Sequence, residues 1–374
     1  MNKIFKVIWS KSKQCYIVVS EIAKNKTGKK KIVVASILAA LAIQSGMITE
    51  VVAADPPSAK LADAAEATGT NGVAIGSSAR SRSNQSIAIG YLSNAFAPSS
   101  NPSTPAIAIG AGAKANGRST IALGLLADAA KDDALAIGHS ASATMENAIA
   151  IGQDAQSSGR GGIALGNATR SAQNAFAAAW DAQASGKGSV AVGSGTRASN
   201  EGSIAIGQDA QGVGRGGIAV GWNAESAVNA VGVGFNAKAK ANNTVAIGVE
   251  ANNDNAISNN YSSVSVGVAT RASAVGSMAM GVSADASGKY SIALGSGDVR
   301  GDYTDNANYP KATGEKAIAI GYNSNSSNTG ATAIGAGATA SGTDSFAGGS
   351  GTAGGNSSIA IGKGASITTP TAGT

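Results

Sequence analysis

The side chains that usually carry out catalysis are scarce in this sequence. His139 is the only histidine, so neither a histidine-based zinc site nor a Ser-His-Asp triad can be assembled within one chain. Asp132 and Asp133 form the only adjacent carboxylate pair of the repeats described below, and such a pair is typical of a solvated turn. We therefore expect no catalytic centre, no metal site and no cofactor, and we do not expect an enzyme.

The most specific short motif is the tripeptide Arg300-Gly301-Asp302, which lies beside Tyr303 in a polar stretch closed by Pro310. In integrin ligands with this tripeptide, the aspartate completes a divalent-metal site and the arginine pairs with a carboxylate. Short motifs also arise by chance, here in about one chain in twenty of this composition. Arg300, Gly301 and Asp302 are candidate ligand-binding residues, and a solvated polar loop is the alternative.

These residues belong to a chain that repeats every fourteen residues. After residue 70 the unit is apolar, Ala, apolar, Gly, as in Ile149-Ala150-Ile151-Gly152. We call its fourth residue the closing position; it recurs twenty times, and thirteen of the nineteen spacings are 14. So regular a period predicts a solenoid. The closing positions are 76, 90, 110, 124, 138, 152, 166, 180, 193, 207, 221, 234, 248, 267, 281, 295, 321, 335, 349 and 362.

Each unit contains two stretches that alternate with the period of a β-strand. In the first, we expect the Ile and Val residues to face the core and the intervening Ala to face outward. In the second, small residues such as Ala113 and Ala115 face the first strand, and charged residues such as Arg80 and Arg82 point outward. The prediction is an all-β, parallel β-roll of about 20 coils, roughly 90 to 100 Å long at the usual strand spacing. Its core is thin, so we expect side-by-side association.

Composition agrees with this architecture and excludes others. The 374 residues include 51 glycines, 4% aromatic and 13% charged residues, unlike a conventional globule, while 43% are apolar, unlike a disordered chain. The net charge of +6 is concentrated in residues 1–54, which carry nine lysines and two glutamates; the rest has 19 basic and 20 acidic residues. That balance does not favour nucleic-acid binding, which needs a basic stripe.

The N-terminal segment has the features of an export signal. Three lysines precede the apolar stretch 32–43, whose twelve residues are too few to span a membrane. We predict cleavage after Ala54, with an N-terminal membrane anchor as the alternative. The only cysteine, Cys15, lies in the removable part, so the mature chain forms no disulfide of its own.

Two parts of the chain resemble one protein family. Residues 1–25, MNKIFKVIWSKSKQCYIVVSEIAKN, resemble the extended signal-peptide region of large type V secreted proteins of Gram-negative bacteria. The repeats, with units close to S-V-A-I-G, resemble the YadA-like heads of trimeric autotransporter adhesins. The predicted organisation is an extended signal peptide at 1–54, a lead-in or cap at 55–70, the head at 71–366 and a truncated tail at 367–374.

This resemblance implies a left-handed parallel β-roll, a homotrimer and display at the bacterial surface. It implies attachment to host matrix proteins such as collagen, fibronectin and laminin, to integrins or host cells, or to other bacteria. The family also has a neck, a coiled-coil stalk and a C-terminal outer-membrane anchor, whose patterns are not found before Thr374. We therefore expect this chain to be part of a longer protein that holds it in the outer membrane.

Two other features could contact a ligand. Three insertions interrupt the period near residues 94–105, 252–262 and 298–313, and loops on a rigid scaffold often bind. The position after the closing residue holds several rings, of which only Trp222 and Phe235 lie on adjacent coils. These two are candidates, and packing against a neighbouring subunit or shielding of a turn is the alternative. Trp180 is assigned to a closing position, without a functional role. The ring-bearing residues are Tyr91, His139, Trp222, Phe235 and Tyr322.

The sequence favours a surface adhesin that binds through many weak, repeated contacts. Two rivals remain: a passive spacer or coat component without a ligand, and a β-helix enzyme acting on carbohydrate. In the adhesin hypothesis no single residue abolishes attachment, with Asp302 as the one candidate exception.

Overall fold

The computed structural model describes residues 5–10, 15–20, 59–97, 104–251, 262–297 and 308–368. The chain divides into two compact units, Met1–Glu50 and Val51–Thr374. In the first unit, the strands Phe5–Ser10 and Cys15–Ser20 form an antiparallel pair. The sequence analysis predicts no such pair within the export signal. No helix among the described residues is long and apolar enough to cross a membrane.

In the second unit the chain winds into stacked coils with two strands each, so the predicted all-β solenoid of about 20 coils is confirmed. The strand of each coil that carries the Ile-Ala-Ile pattern pairs in parallel with the same strand of the next coil, as Ile149 does with Ile163. We call the resulting sheet the Ile sheet. Its strands are Ala59–Leu61, Val73–Ile75, Ile87–Ile89, Ile107–Ile109, Ile121–Leu123, Leu135–Ile137, Ile149–Ile151, Ile163–Leu165, Phe176–Ala178, Val190–Val192, Ile204–Ile206, Ile218–Val220, Val231–Val233, Val245–Ile247, Val264–Val268, Met278–Val282, Ile292–Leu294, Ile318–Ile320, Thr332–Ile334, Phe346–Gly348 and Ile359–Ile361.

The second strand of each coil pairs in the same parallel manner, and we call this layer the polar sheet. Its strands are Glu66–Ala67, Arg80–Ser81, Asn94–Ala95, Lys114–Ala115, Asp128–Ala129, Ser142–Ala143, Gln156–Ser157, Arg170–Ser171, Gln183–Ala184, Arg197–Ala198, Gln211–Gly212, Glu225–Ser226, Lys238–Ala239, Arg271–Ala272, Asp285–Ala286, Lys311–Ala312, Asn325–Ser326, Thr339–Ala340, Thr352–Ala353 and Ser366–Ile367.

The expected orientation of the Ile sheet is wrong. Ala150 is fully buried between the two sheets, while Ile149 and Ile151 on either side of it are only partly buried. The same burial pattern recurs along the sheet, so Ala faces the core and Ile or Val faces outward. The reason is that the interior is thin. Alanines of the facing layer, such as Ala143 and Ala155, already fill it and leave no space for an Ile side chain. The inward small residues of the polar sheet, including Ala113 and Ala115, agree with the prediction.

The interior has no room for a large side chain. Among the described residues, the largest fully buried side chains are threonines and Pro310. At Gly232, which takes the inward alanine's place in its coil, even a Cβ would lie 2.4 Å from the Glu225 carbonyl oxygen. Backbone hydrogen bonds between coils stabilise this thin core; the Ile149 N–H, for example, donates to the Gly162 carbonyl at 2.9 Å.

Buried hydroxyl groups fix the turn that precedes many of the Ile-sheet strands. Thr120 donates from Oγ1 to the Gly117 carbonyl at 2.8 Å, and Ser203 donates from Oγ to the Asn200 carbonyl at 2.7 Å. Each buried hydroxyl thus has a hydrogen-bond partner in the backbone carbonyl three residues earlier. Ser and Thr favour this local pattern in turns. This explains the Ser or Thr that precedes many of the units, a role that the sequence analysis does not assign.

Candidate interaction surfaces

The outward side of the Ile sheet is an apolar surface that continues from coil to coil. Its rows carry Ile, Val and Leu with few exceptions, and several of these side chains are more than a third exposed in the single chain, including Leu123 at 41% and Ile206 at 39%. Large contiguous apolar patches on a soluble protein mark interaction sites. A flat sheet face of this kind can bind a second surface of equal regularity, but it encloses no pocket for a small substrate.

Ion pairs join neighbouring coils on the outward side of the polar sheet and in the turn that follows its strands. Arg118 contacts Asp132 one coil later, with Nε donating to Oδ2 at 2.6 Å. Glu146 pairs with Arg160 in corresponding turns, and Glu225 pairs with Lys238 within the polar sheet. In each of these pairs a basic residue on one coil contacts an acidic residue on a neighbouring coil.

Two aspartates of the described coils have carboxyl groups with opposite pKa shifts. The backbone N–H of Arg118, followed by its guanidinium, lowers the pKa of Asp132 below its ordinary value. Burial raises the pKa of Asp285, opposed by the nearby Arg271, Ser287 and Lys311. Asp285 lies between Arg271 and Lys311 in the polar sheet, and its Oδ1 is buried without a hydrogen-bond partner among the described residues.

These shifts predict opposite effects of pH on stability. A raised folded-state pKa means that the folded chain holds the proton of Asp285 more tightly than the unfolded chain does. The contribution of Asp285 to the free energy of unfolding therefore falls as pH rises above 3.8. We expect Asp285→Asn to remove this loss and to raise the free energy of unfolding at neutral pH by about 1 kcal/mol. Thermal unfolding followed by circular dichroism between about pH 3 and pH 7 measures the effect.

Asp132→Asn is the matched control, because the lowered pKa gives the opposite sign. The contribution of Asp132 is present above pH 3.8 and is lost as pH falls through the lower folded-state value. This variant should therefore be less stable than the parent at neutral pH, and the difference should shrink in acid. The same pH dependence of stability in both variants would contradict the opposite pKa shifts of Asp285 and Asp132.

The candidate rings Trp222 and Phe235 lie on adjacent coils, with centroids 5.3 Å apart and planes at 80°. This edge-to-face geometry is a favoured arrangement of aromatic pairs. Both rings remain solvent-exposed, Trp222 at 55% and Phe235 at 42%. The other rings predicted at this position, Tyr91, His139 and Tyr322, lie on distant coils, as the sequence indicates.

The assignment of Trp180 to a closing position is wrong. Ala178 pairs with Leu165 of the preceding coil and with Val192 of the next, so Ala179 takes the place of the closing glycine. Ala179 has a φ of 96°, a conformation that glycine usually provides. Trp180 therefore occupies the position after the closing residue, in the same row as Trp222, and it is 62% exposed.

Several of the other predicted sites lie outside the part of the chain that the structure describes. The Arg300-Gly301-Asp302 tripeptide, the cleavage point after Ala54 and half or more of each insertion lie outside the described residues. Within the described ranges, no group of three or more His, Cys, Asp or Glu residues could hold a metal ion. A shallow groove of about 420 Å³ lies beside Arg160, whose guanidinium is already paired with Glu146. It is lined by Met145, Ser158, Gly159, Arg160, Ala172 and Gln173.

Comparison with known families assigns both parts of the chain. Residues 1–47 match the extended signal peptide of the type V secretion system. Repeats of the YadA head domain match more than half of the chain. No curated protein matches the chain. The head matches cover residues 67–96, 104–127, 143–169, 184–210, 198–224, 226–251, 272–297, 312–338 and 326–352.

The two matches are independent, because one rests on the leader and the other on the stacked coils. Their order along the chain, export signal first and head repeats after it, is that of a secreted surface protein. The chain therefore belongs to the trimeric autotransporter adhesins, with an extended signal peptide and a YadA-type head.

Proposed function

We propose that the head attaches the bacterium to host extracellular matrix or host cells, and to other bacteria, through many weak contacts repeated along three chains. The observation that supports this proposal is the Ile sheet, whose outward apolar side recurs in register on coil after coil. A surface of this kind joins identical chains side by side, and the remaining faces are then presented in three copies.

Export and surface display follow from the family. The chain is an exported cell-surface protein of Gram-negative bacteria, and YadA-type heads form homotrimers. Members of this family act as adhesins rather than enzymes. For this chain, the Ile sheet is the surface that we assign to the trimer contact, because burial of apolar area is the main driving force of protein association.

The choice of ligand is the finer part of the proposal. Collagen, fibronectin, laminin and integrins are the candidate partners, and Arg300, Gly301 and Asp302 are the candidate residues for integrin. Linked copies of a weak site bind with an apparent affinity far above that of one copy, so no tight pocket is required. The ion pairs between coils keep the outward side of the polar sheet and the turn beside it polar and well hydrated.

The test is binding of the full chain, shown by light scattering to be trimeric, to immobilised collagen, fibronectin, laminin and integrin. We expect saturable binding to at least one of them and to host cells. An Asp302→Glu variant, which keeps the charge but lengthens the side chain, should weaken integrin binding selectively. A folded trimer that binds neither matrix, cells nor other bacteria would instead support a passive spacer, and release of sugars from a polysaccharide would support an enzyme.

A further inference from the structure

Three exposed rings of the head occupy the same position in their coils. Trp180, Trp222 and Phe235 each follow the closing residue, and we call this group the aromatic corner. Their exposed fractions are 62%, 55% and 42%. Trp222 and Phe235 contact each other edge to face, and Val249 continues the row on the next coil with 39% exposure. Trp222, Phe235 and Val249 thus form an exposed apolar patch over three coils, and such patches mark binding surfaces.

The backbone that carries these rings is fixed by hydrogen bonds between coils. The Trp180 carbonyl accepts from the Gly195 N–H at 3.0 Å, and the Trp222 carbonyl accepts from the Asn236 N–H at 2.8 Å. The Phe235 carbonyl accepts from the Glu250 N–H at 2.8 Å. The backbone at each ring is therefore ordered before any ligand arrives, which removes the backbone part of the entropy cost of binding.

A polar gap separates Trp180 from the Trp222–Phe235 pair. Ser194 and Gln208 fill the same row in the two intervening coils, so the indoles lie three coils apart, about 14 Å at the usual strand spacing. The Asp209 carboxylate lies in this gap over Gly195, where a Cβ would be only 2.5 Å from Asp209 Oδ1. Asp209 is exposed, so its oxygens can accept hydrogen bonds from a ligand.

Further hydrogen-bonding groups border the rings. Asn223 donates from Nδ2 to Asn236 Oδ1 at 2.9 Å, beside Trp222 and Phe235. Next to Trp180, Asp181 accepts from Gln183 Nε2 at 3.1 Å and lies 3.7 Å from Arg170. The corner thus combines flat apolar rings with fixed amide and carboxylate groups.

The aromatic corner is distinct from the surface assigned to the trimer contact. An interface between parallel copies runs along the whole stack, and the outward rows of the Ile sheet are apolar along most of it. The row that contains the corner is instead polar on many coils. Its polar members elsewhere are Ser77, His139, Gln153, Asn167, Ser296, Ser350 and Lys363.

We propose that the aromatic corner binds a neutral glycan, with sugar rings stacked on Trp180 and Trp222 and hydroxyl groups donating to Asp209. A pyranose ring has an apolar face of C–H groups and an edge of hydroxyls, which matches flat rings bordered by carboxylate and amide groups. The exposed carboxylate of Asp209 disfavours a sulfated or carboxylated chain, whereas Asp181 is neutralised by Arg170 and Arg197. This inference rests on the adhesin function proposed above and names the chemical class of one ligand.

Intrinsic fluorescence gives a direct test, because Trp9, Trp180 and Trp222 are the only tryptophans of the chain. In the full chain carrying Trp9→Phe, all tryptophan emission comes from the corner. Titration with oligosaccharides of N-acetylglucosamine and of N-acetyllactosamine should shift this emission saturably for at least one of them. Heparin, a polyanion, should give no such change.

Variants locate the site. Trp222→Ala and Asp209→Asn should each weaken retention on the immobilised oligosaccharide about tenfold, since one stacked ring or one charged hydrogen bond is lost. Tyr91→Ala is the matched control, because Tyr91 occupies the same row on a distant coil and is 60% exposed; it should bind like the parent.

The outcomes separate this inference from the adhesin proposal. Attachment to cells or matrix without any response to the oligosaccharides would overturn the glycan site and leave the adhesin function standing. Equal losses in Trp222→Ala and Tyr91→Ala would also overturn it, as would a response to heparin alone. Failure of the folded trimer to attach to any surface would count against the adhesin function itself.

Discussion

Gly152→Val should unfold the coils around it. Gly152 has a φ of 132°, which a β-branched residue does not adopt without strain, and a Cβ there would lie 2.4 Å from the carbonyl oxygen of Gly166 on the next coil. Neither atom belongs to a flexible side chain, so the two coils must separate and lose ladder hydrogen bonds. We expect a loss of about 4 kcal/mol or more in the free energy of unfolding, measured by urea denaturation with circular dichroism.

Gly202→Val is the matched control for this experiment. Gly202 also has a positive φ, 63°, but a Cβ there would meet nothing within 4 Å. This variant measures the strain of a β-branched residue at positive φ without a close contact, about 1–2 kcal/mol in the left-handed region. A loss at Gly152 no larger than that at Gly202 would show that close stacking of closing residues is unimportant. Gly152→Ala should fall between them, because Ala179 is accommodated at a closing position where φ is reduced to 96°.

The second large effect concerns the Ile sheet. Replacing both Ile149 and Ile163 by lysine should convert the trimer to a monomer while the roll stays folded. These side chains are paired on adjacent coils and face outward, so the change places two charges at the proposed contact and leaves the alanine core intact. Loss of threefold linkage should reduce apparent affinity for a surface ligand by about 10²- to 10⁴-fold. Light scattering and circular dichroism, followed by binding to the immobilised ligand, measure the two effects.

Lysines placed on the opposite face provide the control. Ser142 and Gln156 are likewise paired on adjacent coils, but in the outward row of the polar sheet. The double variant Ser142→Lys, Gln156→Lys carries the same added charge and should remain trimeric. If the Ile-sheet variant also remains trimeric, the apolar face is not the contact. If both variants dissociate, general charge repulsion explains the result.

The repeat could be predicted from the sequence because its period is carried by residues with few alternatives. Closing residues such as Gly166 combine a positive φ with close approach to the next coil, so glycine recurs and marks the coil length. The orientation of the Ile sheet could not be read from alternation alone, because strict alternation is compatible with either face. The orientation depends on side-chain size. Ala150 faces a layer of further alanines, and the side chain of Ile149 would not fit there.

The candidate site was predictable only in part. The sequence indicates Trp222 and Phe235 because both follow a closing glycine. It places Trp180 one position too early, because Ala179 replaces the glycine that would mark the end of its coil. The role of Asp209 had no sequence signal, since it depends on which side chain lies over Gly195. Side-chain contacts between coils need the register in three dimensions, which the repeat gives only approximately.

The pairing between coils does not depend on how much chain separates them. Leu294 pairs with Ile320, 26 residues later, in the same register as Ile151 with Leu165, 14 residues later. Distance along the stack is therefore set by the number of coils and not by the number of residues. Duplication or loss of one repeat would shift every site beyond it by a single step of about 4.8 Å, so the reach of such a head can evolve in discrete increments while its side surfaces keep their chemistry.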